Sequence, residues 1–284
     1  MKKQKKMPAF EHVQIARDRN RPKVTDLISG LLDDFLELSG DRAGKEDRSV
    51  IGGVGLLDGI PVTVVGHRKG RTVEENVACN FGMPGPEGFR KSLRLMKQAE
   101  KFGRPVITLI DTPGAYPGME AEENGISAAI AENMAQMSAL GVPVIALITG
   151  EGSSGGALAL GVADRLWMLE YAVFSILSPE GFASILWKDA ARSSEASELM
   201  RMTAAELYED RLIDRVIPEP EGGIQSSTGD SHVFTDWCGF LKTALAEEIR
   251  KLSGIPKEEL LEMRYQKFRS IRSERTGNNY DTGN

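Results

Sequence analysis

Apolar residues fall at helical spacing along residues 24–38, where Val24, Leu27, Ile28, Leu31, Leu32 and Phe35 share one side, and this spacing predicts a helix. Two short strands follow at 50–57 and 60–66, separated by Asp58-Gly59, a pair suited to a tight hairpin turn. The next segment, 67–88, has no clean period and is dense in glycine and proline from Gly82 to Gly88. It reads as a long loop, and loops of that length are often functional. Helical spacing returns over about 87–102, with Phe89, Leu93, Met96 and Phe102 on one side.

A pseudo-repeat then begins. Gly103-Arg104-Pro105 introduces the strand VITLI and Gly141-Val142-Pro143 introduces VIALI; each strand runs into a glycine-bearing loop, DTPGAYPG or TGEGSSGG, and then into a helix. The first helix is expected over about 120–139, with Ile126, Ile130, Met134 and Met137 inward; the second opens in the glycines themselves. Strand, loop, helix and strand in this order make a right-handed crossover between parallel strands. The strands lack polar alternation, which suits a sheet covered on both faces. Residues 166–177 read as one or two further strands, and Ser178-Pro179 as a capped helix start. After a loop beyond Pro218, helices are expected at 231–252, with Val233, Trp237, Leu241, Leu245 and Ile249 along one flank, and at about 257–270. The last dozen residues read as disordered.

Composition narrows the function classes. The chain has 284 residues, 41% apolar and 27% charged, and a formal net charge of −6, which excludes global disorder and argues against a general nucleic-acid surface. No apolar run approaches the roughly 18 residues of a membrane span. Lys2, Lys3, Lys5 and Lys6 give the start a basic character without the apolar core of a secretion signal, so they read as a solvated tail or docking arm and the location as cytoplasmic. Cys79 and Cys238 alone form neither a disulfide framework nor a zinc site, and no metal is expected in this chain.

The chemistry lies in the glycine loops. Gly152-Ser153-Ser154-Gly155-Gly156 follows a buried strand and opens a helix, where successive backbone N–H groups lack intrahelical acceptors. The amides of Gly155 and Gly156 therefore suggest an oxyanion site, the alternative being a tight strand-to-helix joint. The same residues satisfy G-x-S-x-G, but the only histidines are His12, His67 and His232; a triad of Ser154, Asp189 or Asp214, and His232 is formally available, yet nothing places His232 at a strand end, and Ser153 and Ser154 read as helix caps. Asp111-Thr112-Pro113-Gly114 copies a nucleotide-hydrolase element, yet the required phosphate loop is absent: Gly40–Lys45 has the wrong spacing and ends in Glu46. Gly114 and Gly118 instead let that loop bend over a strand end beside the first. His67, Arg68, Lys69 and Arg71 form a basic group suited to a carboxylate or phosphate, a subunit contact or a solvated turn. Glu120, Glu122 and Glu123 suit a helix first turn rather than a metal. No convincing protein base, nucleophile or metal is left, which points to a cofactor's own functional groups.

The segments EHVQIARDRNRP, SGDR, GHRKGR, NFGMPGPEGFRKSLRLM, IDTPGAYPG, AEENGISAAIAENM, GEGSSGGALALGV, SILSPEGFASILWKDA and LIDRVIPEPEGG, in this order over about residues 10 to 223, closely resemble the alpha-subunit family of bacterial acetyl-coenzyme A carboxylase carboxyltransferases. The resemblance implies an α/β, crotonase-like fold of repeated β-β-α units with additional N- and C-terminal helices. It divides the chain into a basic tail and extended arm (1–23), a carboxyltransferase domain (24–250), a helical extension (251–272) and a disordered tail (273–284). It further implies an α2β2 enzyme whose beta partner carries a zinc ribbon and most of the acyl-CoA site. Carboxybiotin arrives in trans on a biotin carboxyl carrier protein after loading by biotin carboxylase, and acetyl-CoA becomes malonyl-CoA for fatty acid synthesis. On the matching positions, Gly155 and Gly156 stabilise charge on the biotin ureido oxygen, and Gly114, Ala115, Gly152, Ser153 and Ser154 line the cofactor site. Gly155→Val or Gly156→Val is then expected to collapse turnover while leaving folding largely intact.

Three positions depart from the family pattern: Ser153 replaces a glycine of GEGGSGG, Arg68 replaces the glutamine after GH, and GGIQSS replaces GGAHR. They leave open another acyl-CoA or a divergent, weakly active paralogue.

Overall fold

The computed structural model describes residues 7–226 and 231–273. The four N-terminal lysines, Ser227 of the GGIQSS segment and the tail beyond 273 lie outside the described residues. Among the described residues eight strands, Asp33–Glu37 (β1), Val50–Leu57 (β2), Ile60–His67 (β3), Val106–Thr112 (β4), Val144–Ser153 (β5), Arg165–Leu169 (β6), Val173–Ser175 (β7) and Arg215–Ile217 (β8), form one sheet. Its order is β1-β2-β3-β4-β5-β6-β8, with β7 pairing to β5. The first three strands are antiparallel and the rest parallel.

The β2–β3 hairpin turns on Asp58 and Gly59, both at positive φ (49° and 74°), as a two-residue primed turn requires. Every residue of β4 and β5 is buried, which accounts for the lack of polar alternation in VITLI and VIALI. The helices are Ala9–Ala16 (α1), Val24–Leu31 (α2), Val73–Ala78 (α3), Pro86–Lys101 (α4), Met119–Glu123 (α5), Ile126–Ala139 (α6), Ser154–Leu158 (α7), Pro179–Trp187 (α8), Ser193–Met200 (α9), Ala204–Glu209 (α10), Ser231–Ser253 (α11) and Lys257–Ser273 (α12). A Cβ on Gly52 would strike Leu95 of α4, whereas one on Gly66 would strike Val24 of α2. Gly52 pairs with Val65, the neighbour of Gly66, so α4 and α2 cover opposite faces of the sheet. On the α2 side α11 packs with Trp237, Leu241, Leu245 and Ile249 buried, each large apolar side chain contributing about 1.5–3 kcal/mol relative to exposure. Val233, assigned to the same flank, is 48% exposed, and Phe102 is likewise exposed beyond the end of α4.

Several expectations change. The helix foreseen over 24–38 stops at Leu31, and the chain turns into edge strand β1, which pairs with β2. Gly53 makes this possible: a Cβ there would stand 2.1 Å from the Leu36 carbonyl oxygen. The helix foreseen over 120–139 is two helices, broken at Gly125 with φ +79°. The loop 67–88 contains α3, capped by Thr72, and a 3-10 turn at Asn80–Gly82. The arm expected to be extended is helical at Ala9–Ala16, and position 250 falls inside α11 rather than at a boundary. Among the described residues no helix is long and apolar enough to cross a membrane.

Candidate active site

Strands β3, β4 and β5 are parallel, so their C-terminal ends lie at one edge of the sheet, where ligands of such sheets usually bind. Both glycine loops start there. Thr112 holds the first: its hydroxyl donates to the Gly114 carbonyl at 2.7 Å and accepts from the Gly114 amide at 3.0 Å. The Tyr116 amide then donates to the Pro84 carbonyl at 2.9 Å, which ties this loop to the Gly82–Gly88 segment. The second loop packs directly on the first. A Cβ on Gly156 would stand 2.6 Å from the Gly114 carbonyl carbon and 2.7 Å from the Ala115 nitrogen, so only glycine permits this approach. Gly155 has open space to 3.6 Å, where Ile130 begins. Among the described residues, no acceptor outside the helix takes the Gly155 or Gly156 amide.

Ser153 lies at φ −117°, ψ 134°, ordinary extended backbone, so its side chain carries no backbone strain; it stands at the N-cap but makes no side-chain cap bond. Ser154 is exposed at φ 54°, a left-handed conformation that costs a non-glycine residue roughly 1–2 kcal/mol. Among the described residues its hydroxyl makes no hydrogen bond to a histidine, so the G-x-S-x-G match has no triad behind it. Ser154 and Gly155 open onto a cavity of about 640 Å³ whose other walls include Leu158, Phe174, Ile176, Leu199, Met200 and Leu212. Gly156 is buried one residue deeper, against the first loop.

Beneath the loops runs a chain of alternating charges. Lys69 Nζ donates to Asp111 Oδ1 at 2.6 Å and to Glu151 Oε2 at 3.1 Å. The other Glu151 oxygen accepts from Arg17 Nε at 2.7 Å, and Arg17 continues to Glu180 at 2.8 Å. Asp111 Oδ1 also accepts the Glu151 amide at 2.9 Å. Burial alone would lower the Lys69 pKa, but Asp111 and Glu151 outweigh it and hold the ammonium above its ordinary range. Burial would raise Asp111; Lys69 and the Glu151 amide hold it below the usual carboxylate range. Lys23, close to Asp111 and Lys69, is pushed down by burial. Removing one partner from such a buried pair costs about 3–5 kcal/mol.

The basic group His67, Arg68, Lys69 and Arg71 divides. His67 is fully buried at the end of β3, and burial pushes its imidazole down to about 4. Its ring lies beside the Gly156 backbone without either nitrogen reaching hydrogen-bond geometry. Arg68, Lys69 and Arg71 line a separate cavity of about 350 Å³ together with Arg48. There Arg68 pairs with Glu37 at 3.0 Å and Arg71 with Asp26, while Arg48 has no ion pair among the described residues. No group of three or more metal-ligating side chains occurs among the described residues. The sequence did not single out Arg17 or Glu151, and took Asp111 only as part of a nucleotide-hydrolase element. Their one local signal is a carboxylate at the C-terminal end of an otherwise apolar strand.

The family model described as acetyl co-enzyme A carboxylase carboxyltransferase-like matches residues 1–272. The chain belongs to that family. It is 55% identical over 254 residues to the acetyl-coenzyme A carboxylase carboxyl transferase subunit alpha of Streptococcus equi subsp. equi, covering 89% of this chain and 95% of the relative. The subunit of the same name from Streptococcus sanguinis is 53% identical over 257 residues, covering 90% and 96%. Among solved structures, transcarboxylase 12S superposes with a TM-score of 0.63 at 20% identity, covering 83% of this chain and 44% of that one. A Pseudomonas malonate decarboxylase hetero-tetramer in complex with coenzyme A gives 0.62 at 20% identity, covering 80% and 89%. The family member described here thus has the crotonase-like fold, and its mixed sheet with crossover helices is that fold's architecture.

Proposed function

We propose that this chain is the alpha subunit of an acetyl-CoA carboxylase carboxyltransferase, transferring a carboxyl group from carboxybiotin on a carrier protein to acetyl-CoA to give malonyl-CoA. The observation that carries the reading is the pair of glycine amides, Gly155 and Gly156, without acceptors outside the helix among the described residues and opening at Gly155 onto an apolar cavity. The residues present fit a small bicyclic urea: a cavity of about 640 Å³ with mostly apolar walls, and N–H donors at its edge. Carboxybiotin supplies the carboxyl group and, at its ring nitrogen, the base that no side chain offers here.

This chain's contribution is then electrostatic. The Gly155 and Gly156 amides hold negative charge on a ureido oxygen, and the start of α7 adds its dipole. Leu158, Phe174 and Ile176 offer the ring an apolar wall. Gly114 and Ala115 support Gly156 from the other loop, and Gly152, Ser153 and Ser154 set the entry to the helix. The cavity of Arg48, Arg68, Lys69 and Arg71 is where we assign an anion or partner contact. An α2β2 assembly with a zinc-ribbon beta chain, delivery by a biotin carboxyl carrier protein loaded by biotin carboxylase, and a cytoplasmic location complete the reading. The family membership and the subunit name of the Streptococcus relatives support it.

The test is carboxyl transfer from malonyl-CoA to a free biotin derivative, with this chain alone, with its cognate beta chain, and with beta alone. Activity confined to the mixture is the expected result. A stable complex without turnover on malonyl-CoA refutes the assigned reaction.

A further inference from the structure

The ladder between β4 and β5 is regular from Val106↔Val144 to Ile110↔Ile148 and then slips: the next pair is Thr112↔Gly152. Two residues on β4 thus span four on β5, and the bulge, Thr149-Gly150-Glu151, lies opposite Asp111, directly beneath both glycine loops. The ladder hydrogen bonds between these two pairs are displaced, so Asp111 has no ladder partner on β5. Side chains take their place. The Asp111 carboxylate accepts the Glu151 amide at 2.9 Å, Arg21 Nε donates to the Thr149 carbonyl at 2.7 Å, and Lys69 bridges Asp111 and Glu151. A Cβ on Gly150 would stand 2.4 Å from Asp111 Oδ1, so the bulge closes tightly on that carboxylate.

We propose that Lys69 is a positioning residue that fixes the separation of the two glycine loops by clamping Asp111 to Glu151 across the β5 bulge; the proposal rests on the carboxyltransferase reading. Asp111 precedes Thr112-Pro113-Gly114 and Glu151 precedes Gly152–Gly156, so the distance between the two carboxylates is passed on within a few bonds to Gly114 and Gly156. Without the ammonium, two buried carboxylates face each other across the bulge and drive the loops apart. Lys69 itself follows β3 by two residues, so the clamp also ties the loops to a third strand.

The experiment reconstitutes the full-length chain with its cognate beta chain and compares Lys69→Met and Lys69→Arg with wild type, each well below its melting temperature. Lys69→Met is expected to lower kcat by about 10²-fold, the usual consequence of misplacing reacting groups by an ångström, with KM for acyl-CoA unchanged. Lys69→Arg, which can still bridge both carboxylates, restores most of it. Lys69→Met/Asp111→Asn removes the unpaired charge and keeps the fold testable should Lys69→Met not fold. Arg264→Met is the control: Arg264 pairs with Asp164 at 2.7 Å, more deeply buried than Lys69, and Asp164 accepts the Val144 amide at the opposite end of β5. It lowers the melting temperature and leaves kcat alone. If folded Lys69→Met and the double variant keep wild-type kcat, the clamp is wrong. Amide hydrogen exchange separates this from failure of the carboxyltransferase reading: even in an inactive wild-type complex, faster exchange confined to 111–116 and 151–157 in the Lys69 variants supports the clamp, and unchanged exchange overturns it.

Discussion

Gly155 and Gly156 look interchangeable in sequence, and the structure separates them. A methyl at Gly156 meets the Gly114 carbonyl carbon at 2.6 Å, the Ala115 nitrogen at 2.7 Å and the Gly114 oxygen at 3.0 Å. Ordinary contact begins at 3.4 Å, so the two loops must part by 3.4 − 2.6, about 0.8 Å, and the opposing atoms are backbone with no flexible end to yield. A displacement of that size at an oxyanion donor is worth about 10²-fold in rate, or roughly 2.7 kcal/mol, the lower end of what losing one donor costs. Gly156→Ala should therefore lower kcat by about 10²-fold with little change in KM. At Gly155 a methyl meets only Ile130, at 3.6 Å, and alanine is the better helix residue by about 0.8–1.0 kcal/mol. Gly155→Ala should keep near-wild-type kcat and melt slightly higher. Both are read in the malonyl-CoA to biotin-derivative assay at saturating beta chain, with melting curves alongside. Wild-type kcat in Gly156→Ala, or equal damage in Gly155→Ala, refutes the loop-contact argument.

Burial of His67 makes stability pH-dependent. The folded imidazole titrates at about 4 against 6.5 unfolded, so its stabilising neutral form is fully favoured above pH 6.5 and the contribution is lost as pH falls towards 4. The span of 2.5 units corresponds to about 3 kcal/mol, and His67→Leu should flatten urea stability between pH 7 and 4.5; an unchanged slope counts against it. Ser154→Gly relieves a left-handed φ of 54° and should raise stability by about 0.5–1 kcal/mol after allowing for the freer unfolded glycine; equal or lower stability in denaturant titration contradicts this. An active-site phosphonate should not label Ser154, and labelling would restore the hydrolase alternative.

Much of the fold was legible because period and turn chemistry agree. The Asp58-Gly59 hairpin, the buried runs VITLI and VIALI and the Ser178 cap, whose hydroxyl accepts the Gly181 amide at 3.1 Å, all stand where the pattern put them. The errors had local signals that longer-range periodicity masked. Asn124-Gly125 is a turn dipeptide inside an apolar repeat, and Thr72-Val73-Glu74-Glu75 has the form of a helix start inside a supposed loop. Phe35, four residues after Leu31, continues the helical period, yet 33–37 pairs with β2 as a strand, which the local pattern did not show. The site was legible in part for a chemical reason. A site made of backbone amides shows itself through glycines, which sequence displays, but what holds those amides is Arg17, Lys69, Asp111 and Glu151, brought together from four distant segments.

The three departures from the family pattern bear on whether this chain is a weakened relative, and each finds a local fit. Ser153 occupies extended backbone that any residue adopts, so replacing glycine there leaves the loop path unstrained. The charge that Arg68 adds is taken up by Glu37 on the edge strand at 3.0 Å, away from the glycine amides. In GGIQSS, Ile224 is buried in the core, and Ser226 donates to Asp26 at 3.0 Å, the same carboxylate that receives Arg71. Each substitution is thus absorbed by residues outside the contact between Gly114 and Gly156. The geometry on which the proposed chemistry depends survives them, which favours a working carboxyltransferase subunit over an inactive paralogue.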